Sequence, residues 1–126
     1  MEIQSAWLNL PVKDLEASEK FFEEIGFTIK KQEGVIDKMR GIETVDNKVI
    51  MLIEQSQFEK VARLNEIGKN EALVSISVKT NEQVDELLEL VERAGGKVLE
   101  KGTVHEGLYG GLFSDVDEHL FNVIAM

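Results

Sequence analysis

The 126-residue chain contains no cysteine, one proline, one tryptophan, one tyrosine and two histidines. Without cysteine it forms no disulfide, carries no thiol nucleophile and offers no thiolate to a metal. No apolar run reaches the roughly 18–20 residues of a membrane span, and the N-terminus lacks a basic-then-apolar signal. The expectation is a cytoplasmic protein with no membrane partner. Basic residues are the scarcer charge: 14 Lys and Arg stand against 24 Asp and Glu, a net charge of −10 at pH 7. Nucleic acid, whose phosphates demand clustered Lys and Arg, is excluded as a partner on that ground. An acidic surface concentrates cations around its clefts, although solvated helix faces are the simpler account of the charge.

What is present is ordinary for one globular domain: 43% hydrophobic and 30% charged residues, in a chain long enough to bury one real core. Residues 3–12 alternate, with Ala6, Leu8, Leu10 and Val12 on one side and Trp7, Asn9 and Pro11 on the other, the period of a half-buried strand. Pro11 cannot donate to a ladder and marks an edge or an end. Asp14 stands at a helix N-cap, Leu15, Phe21, Phe22 and Ile25 make one stripe, and Gly26 supplies the stop. A strand starts at Phe27. Residues 33–54 read as two or three short strands with a turn at Asp46-Asn47. A connecting helix spans 56–68, capped by Ser56 and ended by Gly68.

The pattern then returns. Leu73 to Val78 alternates, and Thr80 or Asn81 caps a helix with the stripe Val84, Leu87, Leu88, Val91 and Ala94. Gly95-Gly96 stops it, and Lys97 to Glu100 is a strand. A Gly-rich loop or hairpin (101–111) and a final hairpin turning through Asp117-Glu118-His119 follow. Val12-Lys13 matches Val78-Lys79 at an offset of 66 (78 − 12), and Val45-Asp46 matches Val116-Asp117 at 71 (116 − 45). Each half is a βαβββ unit. The expected fold class is α+β: two such modules, about 1–55 and about 71–126 joined through 56–70, in a single domain over 1–126. Their curved mixed sheet surrounds a central trough, with the helices on the outer face. The stronger apolar faces, Leu8 and Leu10 with Val74 and Ile76, go to the helix side. Trp7, Asn9, Met51, Leu73, Ser75, Ser77 and Asn122 then line the trough, with Tyr109 as a contact from the loop above it.

Leu10-Pro-Val-Lys-Asp-Leu-Glu-Ala-Ser18, followed by Phe21-Phe22-x-x-Ile-Gly-Phe27, resembles the opening of the vicinal-oxygen-chelate superfamily, the glyoxalase and bleomycin-resistance fold. Tyr109-Gly-Gly-Leu-Phe-Ser-Asp-Val-Asp-Glu-His-Leu-Phe-Asn-Val123 resembles its closing hairpin, which usually carries Asp-Pro-Asp-Gly-His. The resemblance implies four pseudo-symmetric metal-ligand positions, which fall here on Trp7, Met51, Leu73 and Asn122. Trp and Leu supply no ligand, Met a soft thioether and Asn one weak carbonyl, so no metal and no cofactor is expected. His119 falls in the closing turn, where it braces the hairpin. His105 lies in a loop near Glu106 and Tyr109, a set able to act as general acid and base. The run Gly107 to Gly111 lacks the Lys-Ser/Thr and the helix of a phosphate loop.

The expected function is a metal-free small-molecule-binding protein of the glyoxalase/bleomycin-resistance type, holding a cationic or aromatic compound, as a homodimer. Cation–π contact makes Trp7 its most informative residue; filling the space left by a metal is the alternative role. The competing function is a lyase, isomerase or dioxygenase of the same superfamily with a displaced site at His105, Glu106, Tyr109 or His119.

Overall fold

The computed structural model describes residues 1–69 and 71–126. The chain divides into two compact units, Met1–Ile67 and Gly68–Met126. The first contains β1 (Asn9–Val12), α1 (Leu15–Ile25), β2 (Thr28–Lys30), β3 (Met39–Glu43), β4 (Val49–Glu54) and α2 (Gln55–Ala62). The second contains β5 (Leu73–Val78), α3 (Asn81–Arg93), β6 (Lys97–His105), β7 (Leu108–Ser114) and β8 (Leu120–Ala125). Their sheets have the same order, β1-β4-β3-β2 and β5-β8-β7-β6. In each, the first strand runs parallel to the last and the remaining pairs are antiparallel. These are two βαβββ modules of α+β class.

The register reproduces the repeat read from the sequence. Asn9 pairs with Met51, and Ser75 pairs with Asn122. These pairs are related by the same offsets, 66 for the first strand (75 − 9) and 71 for the last (122 − 51).

Caps set the helix limits. Asp14 accepts from the Ala17 N–H at 3.1 Å, and Gly26 ends α1 at φ 118°, a conformation that only glycine adopts cheaply. Thr80, not Asn81, caps α3: its hydroxyl accepts from the Gln83 N–H, while Gln83 accepts from the Thr80 N–H, a capping box. The amphipathic stripe of each helix then packs on its own sheet, α1 on β2, β3 and β4, α3 on β5 to β8.

The cores of the two modules exchange bulk between layers. At the 66-residue offset Phe21 and Phe22 of α1 correspond to Leu87 and Leu88 of α3. At the 71-residue offset Ile42 and Ile50 correspond to Phe113 and Phe121, and each of these strand pairs is in register. Module one therefore puts aromatic rings on its helix and aliphatic side chains on its strands; module two does the reverse. Phe22 meets Phe21 and Phe27 edge-on at 5.0 and 5.5 Å, whereas Phe113 stacks on Phe121 at 5.1 Å. Conserving volume across a facing pair is what lets one backbone accept two cores.

Two boundaries depart from the sequence reading, and a third segment, read as a loop or a hairpin, is decided. Strand β1 begins at Asn9, not residue 3. In the parallel register Trp7 falls opposite Val49, the first residue of β4, so the chain before it has no strand alongside; the last bond of this ladder is Met51 N–H to Leu8 C=O at 2.9 Å. Helix α2 is capped by the Glu54 carboxylate, which accepts from the Ser56 and Gln57 N–H groups, and it ends at Arg63 in a left-handed conformation, before Gly68. Residues 101–111 are a hairpin. Glu106 and Gly107 both have positive φ, the signature of the two-residue turn that matches strand twist.

The closing turn keeps one residue in an unfavourable conformation. Glu118 has φ 68°, at the position where the resembling family usually has glycine. Its contact with Lys69, 3.4 Å and largely exposed, contributes little against that strain. Glu118→Gly is expected to raise stability by about 0.5–1 kcal/mol, read as a higher urea midpoint at unchanged slope.

Candidate functional site

Strand alternation gives each sheet a face under its helix and an open face. In module two Val74, Phe113, Phe121 and Val123 are buried on the helix side. The open side carries Leu73, Ser75 and Ser77 on β5, Leu120, Asn122 and Ile124 beside them on β8, and Leu112 next to Asn122 on β7. Leu73 is 54% exposed. In module one Leu10, Val12, Ile42 and Leu52 are buried under α1, while Asn9 and Met51, paired in register, belong to the other face. Trp7 lies just before β1 and is 63% exposed. Within each module Asn9 and Met51, and Leu73, Ser75, Ser77 and Asn122, lie on the face away from the helix.

Tyr109 is the exception. It sits in β7 rather than a loop, and its hydroxyl donates to Asp85 Oδ1 of α3 at 2.7 Å, on the helix side of the sheet. The hydrogen bond to the Asp85 carboxylate, with desolvation behind it, raises the phenol above the usual tyrosine range. Gly102 makes this approach possible, because a Cβ there would collide with both Asp85 and Tyr109. Tyr109 is therefore removed from the open-face set. Alternation along β7 was the available signal.

Ser75 and Asn122 are joined directly: the Ser75 hydroxyl donates to Asn122 Oδ1 at 2.6 Å. The serine hydroxyl thus takes one lone pair of the asparagine carbonyl. At the other three positions that the resemblance assigns to metal ligands stand Trp7, Met51 and Leu73. Indole and alkyl groups donate no lone pair to a metal, and a thioether is soft. This donor set does not fit a divalent ion. Among the described residues no group of three or more His, Asp or Glu side chains is placed to hold one.

The displaced acid–base cluster is not assembled either. Val104 pairs with Tyr109 and His105 with Leu108, so His105 and Tyr109 point to opposite faces of the hairpin. His119 Nδ1 lies 2.6 Å from Asp115 Oδ2, and Asp115 Oδ1 accepts from the Asp117 and His119 N–H groups. Asp115 is buried. This network braces the turn between β7 and β8.

Two shallow grooves lie on the helix sides. One, of about 420 Å³, is lined by Glu19, Lys31, Ile36 and Arg40 among others; the second, of about 400 Å³, by Asp85, Leu88, Lys101 and Gly102 among others. In the first, Glu19 bonds Arg40 at 2.8 Å and Lys31 at 3.1 Å, so its charges already satisfy one another. The pairing of Glu19 with Arg40 escaped the sequence reading, because a buried arginine leaves no mark in strand alternation.

A two-module α+β fold of this topology, with donor-poor open faces, is the ground on which the comparisons stand. The family model described as "Bleomycin resistance protein-like N-terminal" matches residues 4–37. Similar folds include a glyoxalase/bleomycin resistance protein/dioxygenase family enzyme from Burkholderia phytofirmans PsJN, at 20% identity and TM-score 0.80, covering 94% of this chain and 95% of that one. A glyoxalase-related enzyme from Fulvimarina pelagi aligns at 19% identity and TM-score 0.84, covering 98% and 89%. The chain shares the fold of these glyoxalase and bleomycin-resistance-type structures. It is also similar to hypothetical protein SA1046 from S. aureus, at 39% identity and TM-score 0.92, over 100% of this chain and 96% of that one. Comparison with curated proteins finds no match. Among the described residues no helix is long and apolar enough to cross a membrane.

Proposed function

We propose that the protein binds a small organic molecule on the open sheet faces without using a metal, in the manner of a bleomycin-resistance-type binding protein. The observation that carries this reading is the chemistry of the four positions. Trp7, Met51 and Leu73 offer a metal no hard ligand, and Asn122 adds one weak amide oxygen that already accepts from Ser75. Each open face by itself offers a mix suited to an organic ligand: an exposed indole with Asn9 and Met51 in module one, and apolar side chains with Ser75, Ser77 and Asn122 in module two. Trp7 supports an aromatic or cationic compound, since an indole face stacks on planar rings and attracts cations, and the net charge of −10 favours approach of a cation. A homodimer in the cytoplasm belongs to the same proposal: β1 and β5 are edge strands of their sheets, and edges invite pairing.

The test is a thermal-stabilisation screen of drugs and metabolites, because a ligand at 100 times its Kd stabilises the native state by about 2.7 kcal/mol. Trp7→Ala, which removes an exposed side chain and should leave the melting curve of the free protein nearly unchanged, is expected to weaken the response to any hit at least severalfold. A response identical in the variant would remove Trp7 from the site.

A further inference from the structure

The repeat puts a carboxylate in each of the two helix-side grooves. At the 66-residue offset (85 − 19) Glu19 of α1 corresponds to Asp85 of α3, and each lines the groove beside its own helix. What meets the two carboxylates differs. Glu19 is held by two cations, the Arg40 guanidinium at 2.8 Å and the Lys31 ammonium at 3.1 Å. At the 71-residue offset (111 − 40) Arg40 corresponds to Gly111, which has no side chain to send. The register carries Lys31 onto Lys101: Lys30 pairs with Gly41, and Glu100 pairs with Leu112, the equivalent of Gly41. Lys101 lines the second groove, yet among the described residues Asp85 makes no ion pair with it or with any other cation. Asp85 Oδ1 accepts the neutral Tyr109 hydroxyl at 2.7 Å, and Oδ2 receives no hydrogen bond from a described residue.

We infer that the helix-side groove of module two binds a small organic cation, a guanidinium or primary ammonium on a short aliphatic body, with Asp85 taking the part that Glu19 plays toward Arg40 and Lys31. In module one the cation is built into the chain; in module two it comes from outside. Acidic residues alone would gather cations diffusely, whereas this groove presents a carboxylate whose repeat-related counterpart already holds a guanidinium, the group whose planar fork matches a carboxylate. The charges around it point the same way. Three basic side chains line the first groove against three carboxylates, while Lys101 alone stands against Asp85, Glu89 and Glu92 in the second. Glu89 shares exposed Arg93 at 3.6 Å. Leu88 and Val98 supply the hydrocarbon lining on which an aliphatic stem rests. The site uses module two alone, on the opposite side of its sheet from Ser75 and Asn122, and stands independently of the open-face reading.

Propylguanidinium and propylurea have nearly one shape and differ in charge. Each is titrated into the full ¹⁵N-labelled chain at about 150 mM salt, which screens diffuse attraction. The amide signals of Leu88, Val98 and Gly102 report the second groove, and those of Lys20, Ile36 and Arg40 the first. Propylguanidinium is expected to give saturable shifts in the second groove and none in the first, and propylurea none in either. Asp85→Asn, at an exposed position, keeps an oxygen for the Tyr109 hydroxyl and removes the charge. It is expected to weaken propylguanidinium about tenfold, the loss of one charge-assisted hydrogen bond. Glu24→Gln changes the net charge equally at an exposed site outside both grooves and is expected to leave binding as in the parent. Propylurea binding as tightly as propylguanidinium, equal shifts in both grooves, or equal weakening by the two variants would each overturn the assignment. So would the lack of any saturable shift in the second groove.

Discussion

Phe22→Ala is expected to cost about 3–5 kcal/mol, the largest effect of any single truncation proposed for this chain. Phe22 has no exposed surface and stands edge-on to both Phe21 and Phe27. Its removal loses the transfer energy of a ring and two aromatic contacts, and it opens a cavity that α1, held at both ends by Asp14 and Gly26, cannot collapse to fill. The check is a urea midpoint at constant slope. The repeat supplies a sharper version. Module two keeps leucine where module one has Phe22 and phenylalanine where module one has Ile42. Phe22→Leu with Ile42→Phe should therefore recover part of the loss of Phe22→Leu alone. A double variant no better than the sum of the two single ones would count against a core conserved in volume but exchanged in position.

Glu19→Ala is expected to cost about 2–3 kcal/mol. Arg40 is buried, with 7% of its side chain exposed, and Nε donates to Glu19 Oε1 at 2.8 Å; its other donors reach the Met39 and Ile36 carbonyls. Removing the carboxylate leaves a desolvated guanidinium without its counter-charge, the costly half of a broken buried pair. Glu19 is itself one-fifth exposed, so water replaces part of the contact and keeps the cost below that of a fully buried pair.

The same pair gives a pH dependence. The hydrogen bond from Arg40, and after it Lys31, holds the Glu19 carboxyl below the usual glutamate range despite desolvation acting the other way. A depressed folded-state value means the stabilisation is present above the unfolded value of about 4.3 and is lost as pH falls through the folded one. Glu19→Gln should lower stability at neutral pH and flatten the loss between neutral and acid. A mutant acid limb as steep as that of the parent would remove Glu19 from the titration.

Much of this architecture was legible in the residues. Asp14 and Gly26 bracket α1, the Gly95-Gly96 pair follows α3, and the offsets of 66 and 71 match the strand register pair for pair. Those signals are local, and local chemistry fixes them. The misjudged features depend on partners distant in sequence. Trp7 reads as mid-strand until the register shows that β4 begins opposite it. Arg63 ends α2 in a left-handed conformation that arginine does not advertise, so Gly68 looked like the stop. Tyr109 reads as a loop residue until the hairpin pairs it with Val104 and turns its hydroxyl toward Asp85. Asn122 and Ser75 were both singled out, yet their union needed the parallel pairing of β5 with β8. That union places a hydroxyl donor on the one amide oxygen at the four positions.

The central claim is that the open faces hold an organic molecule with no ion between it and the protein. The direct measurement is the thermal midpoint of chelator-stripped protein against rising Zn²⁺, Ni²⁺ and Mn²⁺. No saturable shift is expected with any of the three, since a metal bound to the native state would raise stability with concentration. A saturable rise that disappears in Asn122→Ala would contradict the claim and restore Asn122 to the role of a ligand.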